Sequence, residues 1–298
     1  MDTGLRGRGD KIFQVICYVV LFIFLLLAVL PFVMLLASSL SDNDAISFGG
    51  YGFWPKDFTL YAYQYLFKGK ADAVLRSYGI TFFITIIGTI ISIAIAPMLG
   101  YVISRRDYRR GKFLTVYVFI TMLFNGGMVP SYMMWTQIFG IKNTIWALVF
   151  PNLVVNGFFI MLYKNNFASN IHPALIEAAK IDGASEFFIY RKIVMPLSLP
   201  ILATVGLMTG LGYWNDWTNG LYYITEPKWY SLQVYLDNIL KNISGMLSMG
   251  GAGGVVMKFP GVSIRMAMAV LGVVPIMILY PFFQKYFVKG IAIGGVKE

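Results

Sequence analysis

Six apolar segments, each long enough to cross a lipid bilayer as a helix, are the feature that most constrains this chain of 298 residues. A hydrocarbon core of about 30 Å requires roughly 20 helical residues. Because 58% of the residues are apolar and only 13% are charged, the composition lies outside the range of a soluble globular domain. The segments are Phe13–Leu36, Tyr78–Ile103, Phe113–Ile138, Thr144–Leu162, Leu197–Tyr223 and Ile264–Phe287. The sequence therefore predicts an all-α membrane protein with six transmembrane helices.

The distribution of positive charge predicts the orientation of these helices. If both termini are cytoplasmic, 15 of the 24 Lys and Arg residues lie in cytoplasmic segments, whereas the 14 acidic residues divide equally between the two sides. Cytoplasmic loops of membrane proteins carry an excess of Lys and Arg. We therefore expect cytoplasmic N- and C-termini. The cluster 105–112 is expected to anchor this orientation, with phosphate binding as the alternative.

The start of the chain could also be interpreted as a signal peptide, because basic residues precede an apolar run and small residues follow it. The apolar run Ile12–Leu36 is longer than the roughly 7–15 residues of a signal-peptide core. We therefore expect it to remain as the first span.

One transmembrane domain over residues 1–298 is expected. Residues 1–76 would form the first span and an outer loop, and residues 77–288 a helical bundle that includes a cytoplasmic loop at 170–196. Residues 289–298 would form a cytoplasmic tail. The aromatic side chains of the first outer loop suit a membrane–water belt or a protein interface equally well. In the last outer loop, the glycine-rich stretch 244–254 predicts a mobile segment.

Several common chemistries lack their usual residues in this sequence. Cys17 is the only cysteine, and His172 is the only histidine and is expected to be a solvated turn residue. Metal clusters and histidine-based nucleophilic catalysis are therefore disfavoured. The chain also has no G-x-x-x-x-G-K-[ST] phosphate loop. We expect no catalytic residue, no metal site and no cofactor in this chain, so that any ATP hydrolysis occurs on other polypeptides.

The polar stretch between the fourth and fifth spans, residues 170–196, predicts two short helices joined by a turn, called the elbow below. Pro173 can start a helix because its missing N–H costs nothing there, and Glu177 lies near the positive end of that helix. Gly183 gives the backbone the conformational freedom to turn, and we expect Asp182 to cap the second helix. Small side chains let a partner surface approach the backbone. The elbow is thus expected to be a docking element, with Glu177, Ala178, Ala179, Asp182 and Gly183 as its contact residues.

The third span is expected to be broken at Asn125-Gly-Gly-Met-Val-Pro130. This stretch combines a flexible glycine pair with a proline that cannot donate to the helix ladder. Irregular backbone at membrane depth requires protein or a wet cavity around it. The break is therefore a candidate for a solute pathway, although a plain exit from the membrane before a short outer helix fits the sequence as well.

Trp214-Asn-Asp-Trp217 places polar side chains within the fifth span. On one helix, Trp214 and Trp217 would share a face, with Asn215 and Asp216 turned away from it. Polar groups in a span usually face a bundle interior or a cavity, whereas Trp is common in the interfacial belt. We expect Asn215 or Asp216 to face the pathway or a partner subunit and the tryptophans to pack or anchor. Further pathway candidates across the broken span are Asn125, Tyr132 and Trp135.

Taken together, these motifs resemble those of the permease subunits of ABC importers. The elbow and the start of the fifth span carry the family's coupling-loop pattern in Glu177-Ala-Ala, Gly183, Ile193, Pro196 and Pro200. Trp214-Asn-Asp-Trp217 and the tail Gly290-Ile-Ala-Ile-Gly-Gly-Val-Lys297 resemble the carbohydrate-uptake branch, which includes the smaller permease of the maltose transporter. Many relatives have Glu-Phe where this chain has Asp216-Trp217.

A finer resemblance lies in Asn125-Gly-Gly-Met-Val-Pro130 and Gly140-Ile-Lys-Asn-Thr-Ile-Trp146. These segments are similar to the lipoprotein-linked, multiple-sugar permeases of Gram-positive bacteria.

The resemblance implies a type I ABC importer permease fold in the bacterial cytoplasmic membrane, moving a carbohydrate, and an oligosaccharide in particular, by alternating access. Its partners would be a second, homologous permease in a heterodimer, two ATPase subunits that hold ATP and Mg, and an extracellular solute-binding protein. No nucleic acid is implied. In this family Glu177 would sit in a cleft of the ATPase, the segment 244–254 would enter the binding protein, and the tail would reach the ATPase interface.

Other functions compatible with six spans are an ABC permease for another small solute, a secondary transporter or channel, a membrane enzyme and a scaffold. The mid-depth parts of the spans hold almost no ionisable residue, which disfavours proton or sodium coupling. A membrane enzyme would lack His, Cys and paired intramembrane carboxylates. Composition leaves a scaffold role open.

Overall fold

A computed structural model describes residues 8–68, 71–250 and 261–294, without the side chains of residues 8, 243, 246–250 and 282–294. Within these residues every regular element is helical, apart from one isolated β-bridge between Ser41 and Phe58. The all-α prediction is thus confirmed for this part of the chain. The helices are α1 (Arg8–Ser39), α2 (Asn43–Gly49), α3 (Tyr61–Phe67), α4 (Ala71–Ser104), α5 (Gly111–Leu123), α6 (Met128–Met133), α7 (Trp146–Val149), α8 (Gly157–Asn170), α9 (Pro173–Ile181), α10 (Glu186–Ile189), α11 (Met195–Leu197), α12 (Leu199–Trp214), α13 (Thr218–Tyr223), α14 (Leu232–Gly250) and α15 (Gly261–Gly294).

Three unbroken helices in the described residues are long and apolar enough to cross a membrane: Gly9–Ser39, Ala71–Ser104 and Gly261–Pro281. They correspond to the first, second and sixth predicted spans. Two further candidates are bent pairs of helices, so the described residues hold up to five spans if each pair counts as one. The second span, α4, also carries the buried Pro97 in its interior.

The predicted break in the third span is confirmed. Helix α5 ends at Leu123, α6 begins at Met128, and the chain bends by 110° between them. The carboxamide oxygen Oδ1 of Asn125 accepts a hydrogen bond from the backbone N–H of Gly127 at 2.8 Å, and Gly127 has a φ of 87°. Pro130 lies in the first turn of α6. Backbone N–H groups in a first turn have no acceptor within the helix, so the missing N–H of proline costs no hydrogen bond there.

The prediction of one continuous helix over Thr144–Leu162 is wrong. The structure has the short helix α7 and then an irregular segment up to Asn156, and α8 continues to Asn170. Pro151 cannot donate to a helix ladder, and Asn152 has a φ of 63°. Oδ1 of Asn156 then accepts the N–H of Phe158 at 2.9 Å and caps α8. The polar turn within this apolar segment thus starts a new helix.

The predicted fifth span is likewise divided. The segment Glu186–Leu197 meets α12 at an angle of 81°. Helix α12 ends at Trp214 and the separate helix α13 begins at Thr218, so Trp214 and Trp217 do not share one helix. The expectation that they lie on a common helical face is therefore wrong.

The chain groups into two compact units, the first formed by residues 1–71 and 239–274 and the second by residues 72–238 and 275–298. In the first unit, the segment after α1 is held by hydrogen bonds to serine side chains. Ser41 Oγ accepts the N–H of Lys56 at 2.9 Å, and the hydroxyls of Ser39 and Tyr63 are 2.9 Å apart. Oδ1 of Asn43 accepts the N–H of Val262 at 3.0 Å.

The second unit contains two apolar clusters of buried side chains. One cluster joins α4, α8, the elbow and α12, and includes Ala96, Tyr163, Ile189 and Val205. The other joins α4, α7 and α13 and includes Ile84, Leu148 and Tyr223. These clusters hold the candidate site residues described below on fixed helices.

The glycine-rich stretch and the predicted tail fall partly outside the described residues. Of the glycine-rich stretch 244–254, residues 244–250 continue α14 as helix, and 251–254 lie outside. Of the predicted tail 289–298, residues up to Gly294 continue α15, and 295–298 lie outside. The helix thus extends beyond the predicted end of the sixth span.

Candidate functional site: the elbow and its charged ring

The elbow consists of α9, a tight turn and α10, as the sequence predicts. Pro173 occupies the first turn of α9, and Nδ1 of His172 accepts the N–H of Ala174 at 3.4 Å as its N-cap. Gly183 has a φ of 79°, a conformation that favours glycine. The prediction that Asp182 caps the second helix is wrong, because Asp182 ends α9 and Ser185 Oγ accepts the N–H of Phe188 at 3.3 Å.

The elbow has an inner face and an outer face. On the inner face, Ile176, Ala179 and Ile189 are buried in the apolar cluster with α4 and α8. Ala179, predicted as a contact residue, therefore packs inward. The other predicted contact residues, Glu177, Ala178, Asp182 and Gly183, are exposed. Large apolar side chains are exposed among them, namely Leu175, Ile181, Phe187 and Phe188.

A closed set of polar contacts, called the ring below, joins the elbow to the end of α4 and the loop that follows it. Arg105 donates from Nε and Nη2 to the two carboxylate oxygens of Asp107 at 2.8 and 2.6 Å. Lys180 Nζ lies 2.9 Å from Oδ2 of Asp107 and 2.9 Å from Oε1 of Glu186. The Tyr101 hydroxyl donates to Oε2 of Glu186 at 2.9 Å and accepts from Nη1 of Arg105 at 3.0 Å.

These contacts shift the pKa of each charged member toward its ionised form. Hydrogen bonds from Arg105, and then from Lys180, hold the pKa of the Asp107 carboxyl well below its usual range. The hydrogen bond from Lys180 is the largest cause that lowers the pKa of Glu186, and bonds to Glu186 and Asp107 raise the pKa of Lys180. The bond to Asp107 is the first cause that raises the pKa of Arg105. All four groups are therefore charged at neutral pH.

The sequence did not reveal the ring. It predicted Arg105 and its neighbours as an orientation anchor, and Lys180 and Glu186 only as part of a polar loop. The one sequence feature that could have indicated the ring is Asp107, the single acidic residue within the basic run 105–112. Its partner Lys180 is 73 residues away, and only the packing of α9 beside α4 brings the two together.

The candidate segment at the end of α12 separates into buried and exposed side chains. Trp214 is 2% exposed and its ring meets that of Phe82 edge to face, with centroids 5.1 Å apart. Trp217 is 50% exposed. Asn215 is exposed and donates from Nδ2 to the carbonyl of Leu211 at 3.0 Å. Trp214 is therefore a packing residue, whereas the exposed Trp217 leaves anchoring as its predicted role.

Asp216 caps α13. Its Oδ1 accepts the backbone N–H groups of Thr218 at 3.1 Å and of Asn219 at 3.2 Å, and these groups open the helix. Its second oxygen, Oδ2, is buried and has no hydrogen-bond partner among the described residues. The side chain thus has one structural role and one oxygen that this role does not use.

The three remaining candidates, Asn125, Tyr132 and Trp135, do not form a single surface. Asn125 is exposed and bonds locally at the break after α5. Tyr132 stacks on Tyr223 of α13 with centroids 5.7 Å apart, and Lys142 Nζ lies 5.9 Å from the centre of its ring. Trp135 packs against the apolar cluster of α4, α7 and α13 that contains Tyr223. The structure therefore links Tyr132 and Trp135 to α13, which Asp216 caps.

A cavity of about 440 Å³ lies between α4, α12 and α15. Its lining is almost entirely apolar and includes Phe82, Ile86, Leu207, Trp214 and Leu279. The lining residues with a polar side-chain atom are Thr85, Thr89, Trp214 and Tyr280. Such a surface suits hydrocarbon or an apolar helix and offers a sugar few hydrogen-bond partners. In the part of the chain that the structure describes, no three His, Cys, Asp or Glu side chains come together as metal ligands.

Known proteins are similar to this chain in sequence and fold over nearly its whole length. Residues 75–293 match the family described as binding-protein-dependent transport system inner membrane component. The chain is 35% identical over 291 residues to the polygalacturonan/rhamnogalacturonan transport system permease protein YtcP of Bacillus subtilis, covering 97% of this chain and 99% of that protein. It is 34% identical over 274 residues to protein LplC of the same organism, covering 91% and 90% of the two chains.

A crystal structure of a bacterial ABC transporter involved in the import of the acidic polysaccharide alginate contains a similar chain. That chain is 29% identical in sequence, with a TM-score of 0.76 over 96% of this chain and 100% of that chain. The expected ABC permease fold is thereby confirmed, and ATPase and solute-binding partners follow from the family. The chain belongs to the family of inner membrane components of binding-protein-dependent transport systems, the permease subunits of ABC importers.

Proposed function

We propose that this chain is one of two homologous permease subunits that together carry an oligosaccharide across the bacterial cytoplasmic membrane. The observation that carries the proposal is the exposed outer face of the elbow. Ile181 is 86% exposed and directly precedes the exposed Asp182 and Gly183, and Phe187 in α10 is 61% exposed. Exposed apolar side chains rimmed by polar ones are typical of a protein interaction site.

The partner at this face is an ATPase subunit that binds ATP and Mg, with Glu177 and Asp182 available to pair with its basic residues. The elbow is directly continuous with α12 through the bend of 81°. ATP-driven closure of two ATPase subunits would therefore displace α9 and α10 and tilt α12 with them. This is a rigid-body transition driven by a ligand on another subunit.

Six membrane crossings with both termini in the cytoplasm complete this proposal. The third crossing would use the bent pair around Asn125. The fourth would combine α8, whose 14 residues are too few to cross alone, with the segment that precedes it. The most apolar window of α1 is not buried within the chain, which leaves the helix free to contact lipid and the second permease. An extracellular binding protein would deliver the sugar to the opposite side from the elbow.

The proposed substrate class rests on the named relatives. One is named for polygalacturonan and rhamnogalacturonan, and the solved transporter imports the acidic polysaccharide alginate. We therefore favour an oligosaccharide that contains uronic acid units. The candidate side chains for this contact are Asn215, Asp216, Trp217, Tyr132 and Trp135, since aromatic faces stack on sugar C–H surfaces and amides bind hydroxyls.

The docking role is tested with the complete transporter reconstituted in liposomes. Glu177→Lys should lower ATP-driven uptake about tenfold or more, because a like charge at an interface costs several kcal/mol. Gly183→Val should do the same, because valine disfavours the φ of 79°. Glu226→Lys reverses another exposed carboxylate, outside the elbow, and should leave uptake unchanged. Normal uptake by both elbow variants would reject the docking role.

The substrate class is tested with the same liposomes and a panel of labelled oligosaccharides of matched length. We expect uptake of those that carry uronic acid carboxylates and little uptake of their neutral counterparts. Equal uptake of neutral and acidic sugars would reject the preference for acidic substrates. Uptake of another class of solute, with no uptake of any sugar, would reject the carbohydrate assignment.

A further inference from the structure

The ring is built from four elements of the chain. Tyr101 belongs to the last turn of α4, Arg105 and Asp107 to the loop after it, Lys180 to α9, and Glu186 to α10. Each member contacts at least two others, so that the contacts close on themselves. The polar side chains of both elbow helices are thereby connected to one end of the second span.

The apolar packing beneath the ring does not fix the elbow in one position. Ile176 and Ile189 pack with Ile103 of α4 in a buried cluster. Apolar association follows the area removed from water and has little directional preference. Helices held by such contacts alone can therefore shift against one another by small translations.

The polar contacts of the ring restrict the position of the elbow against α4, which the apolar packing alone does not. The Arg105 guanidinium binds both oxygens of Asp107, a geometry that allows only a narrow range of orientations. Lys180 bridges Asp107 and Glu186, so that sliding α9 along α4 lengthens at least one of its two contacts. The Arg105 side chain is only 11% exposed, which keeps this anchor in place.

We propose that the ring is a positioning device that fixes the elbow to the cytoplasmic end of α4, so that this end of the second span and the elbow move as one body during transport. This proposal rests on the docking role of the elbow proposed above. Lys180 and Asp107 are positioning residues that act through the elbow and do not contact the ATPase. Without the ring, displacement of the elbow would be absorbed as sliding over the apolar cluster and would not reach α4.

The test uses the assembled transporter in lipid nanodiscs with single substitutions in the ring. Lys180→Gln and Asp107→Asn each remove one charge while keeping a polar side chain. Lys180→Arg keeps the charge and serves as the conservative rescue. Arg106→Gln is the matched control, because it removes an exposed cation of the same loop whose side chain is not part of the ring.

Amide hydrogen exchange of α9 and α10 reports the ring without requiring transport. We expect about three- to tenfold faster exchange in Lys180→Gln and Asp107→Asn, and no change in Lys180→Arg or Arg106→Gln. The amount of solute moved per ATP hydrolysed should fall several-fold in the first two variants, with the ATPase subunits still bound. Unchanged exchange, or loss of the ATPase subunits from Lys180→Gln, would overturn the proposal.

A covalent tie provides the opposite test. Cysteines replacing Asp107 and Lys180, with Cys17→Ser, are joined by a short thiol cross-linker in the assembled transporter. Transport per ATP should rise from the unlinked to the linked protein, because the tie replaces the ring. Inhibition on linking would mean that the elbow must move against α4. Absence of ATP-driven uptake in the unmodified transporter would reject the proposed function instead, while hydrogen exchange would still test the ring.

Discussion

The phenol ring of Tyr213 occupies the space that a side chain at Gly88 would need. A Cβ added at Gly88 would lie 2.2 Å from Cζ of Tyr213, closer than nonbonded carbon atoms approach. The Tyr213 hydroxyl also donates to the carbonyl of Val149 at 2.8 Å. One side chain of α12 therefore holds α4 and α7 together, and it requires glycine at position 88.

Gly88→Ala should destabilise the protein by about 1–3 kcal/mol, because it overpacks a buried contact. The expected measurement is a lower apparent Tm of the detergent-purified chain. Gly79→Ala in the same helix is the control, since a Cβ there meets no atom within 4 Å. Alanine also favours helix, so this variant should match or slightly exceed the parent protein. Equal Tm values for the two variants would contradict the close contact at Tyr213.

Asp216 offers a way to separate capping from a role in transport. Asp216→Asn keeps an oxygen for the N–H groups of Thr218 and Asn219 but removes the charge, whereas Asp216→Ala removes both. Loss of the cap should lower stability by about 1 kcal/mol in the Ala variant alone. If the free oxygen Oδ2 meets substrate, uptake should fall in both variants while only Ala lowers the apparent Tm. Normal uptake by Asp216→Asn would leave capping as its sole role.

The ring should respond to salt and to extremes of pH. The lowered pKa of Asp107 and of Glu186 means that their stabilisation is complete above the usual carboxyl pKa of about 4 and is lost as the pH falls through the lowered values. The raised pKa of Lys180 means that its stabilisation is present below its usual pKa and is lost as the pH rises through the raised value. Exchange of α9, corrected for intrinsic rates, should therefore be constant from about pH 5 to 8.

Over the same pH range, raising NaCl from about 0.1 M to 1 M should speed that exchange, because Asp107 and Lys180 are half-exposed and the Debye length shortens from about 10 to 3 Å. Exchange that is independent of salt would show that the ring contributes little. The Lys180→Gln variant is the internal control, since its exchange should depend on salt less.

The proposed orientation can be checked by thiol labelling in intact cells. In a Cys17→Ser background, Arg109→Cys should be shielded from a membrane-impermeant reagent, because the loop after α4 would be cytoplasmic. Lys228→Cys should react, because the exposed turn after α13 would be outside. Permeabilised cells provide the control for reactivity at position 109. Labelling of position 109 in intact cells would reverse the proposed topology.

Much of the helical organisation follows from local sequence. The glycine pair after Asn125 ends α5, and Pro173 and Gly183 set the bounds of α9, because backbone preferences act over a few residues. The division of the fourth span was missed because apolar residues around Pro151 conceal its turn. The early end of α12 was missed for a related reason. The sequence Trp214-Asn-Asp-Trp217 is compatible with a continuous helix, and only the structure shows that Asp216 caps a new helix, α13.

The site was less predictable than the helices. The exposed residues of the elbow follow from a recognisable local pattern. The ring does not, since Lys180 and Asp107 meet only through the packing of α9 beside α4. Ser185, and not the predicted Asp182, caps α10, because Asp182 lies before the turn at Gly183 and Ser185 lies after it. Such choices depend on tertiary position, which a single sequence does not encode locally.

The buried Pro97 makes α4 easier to bend at one level than elsewhere along its length. Proline cannot donate to the carbonyl four residues earlier, which belongs to Ile93. The Ile93 side chain is also the neighbour of Gly206 on α12. Bending α4 therefore costs least between Ile93 and Pro97, where α12 rests on it, about one to two turns before Tyr101 and the ring. A push on the cytoplasmic end of α4 would thus appear as a change of angle at Ile93, with its outer half left in place.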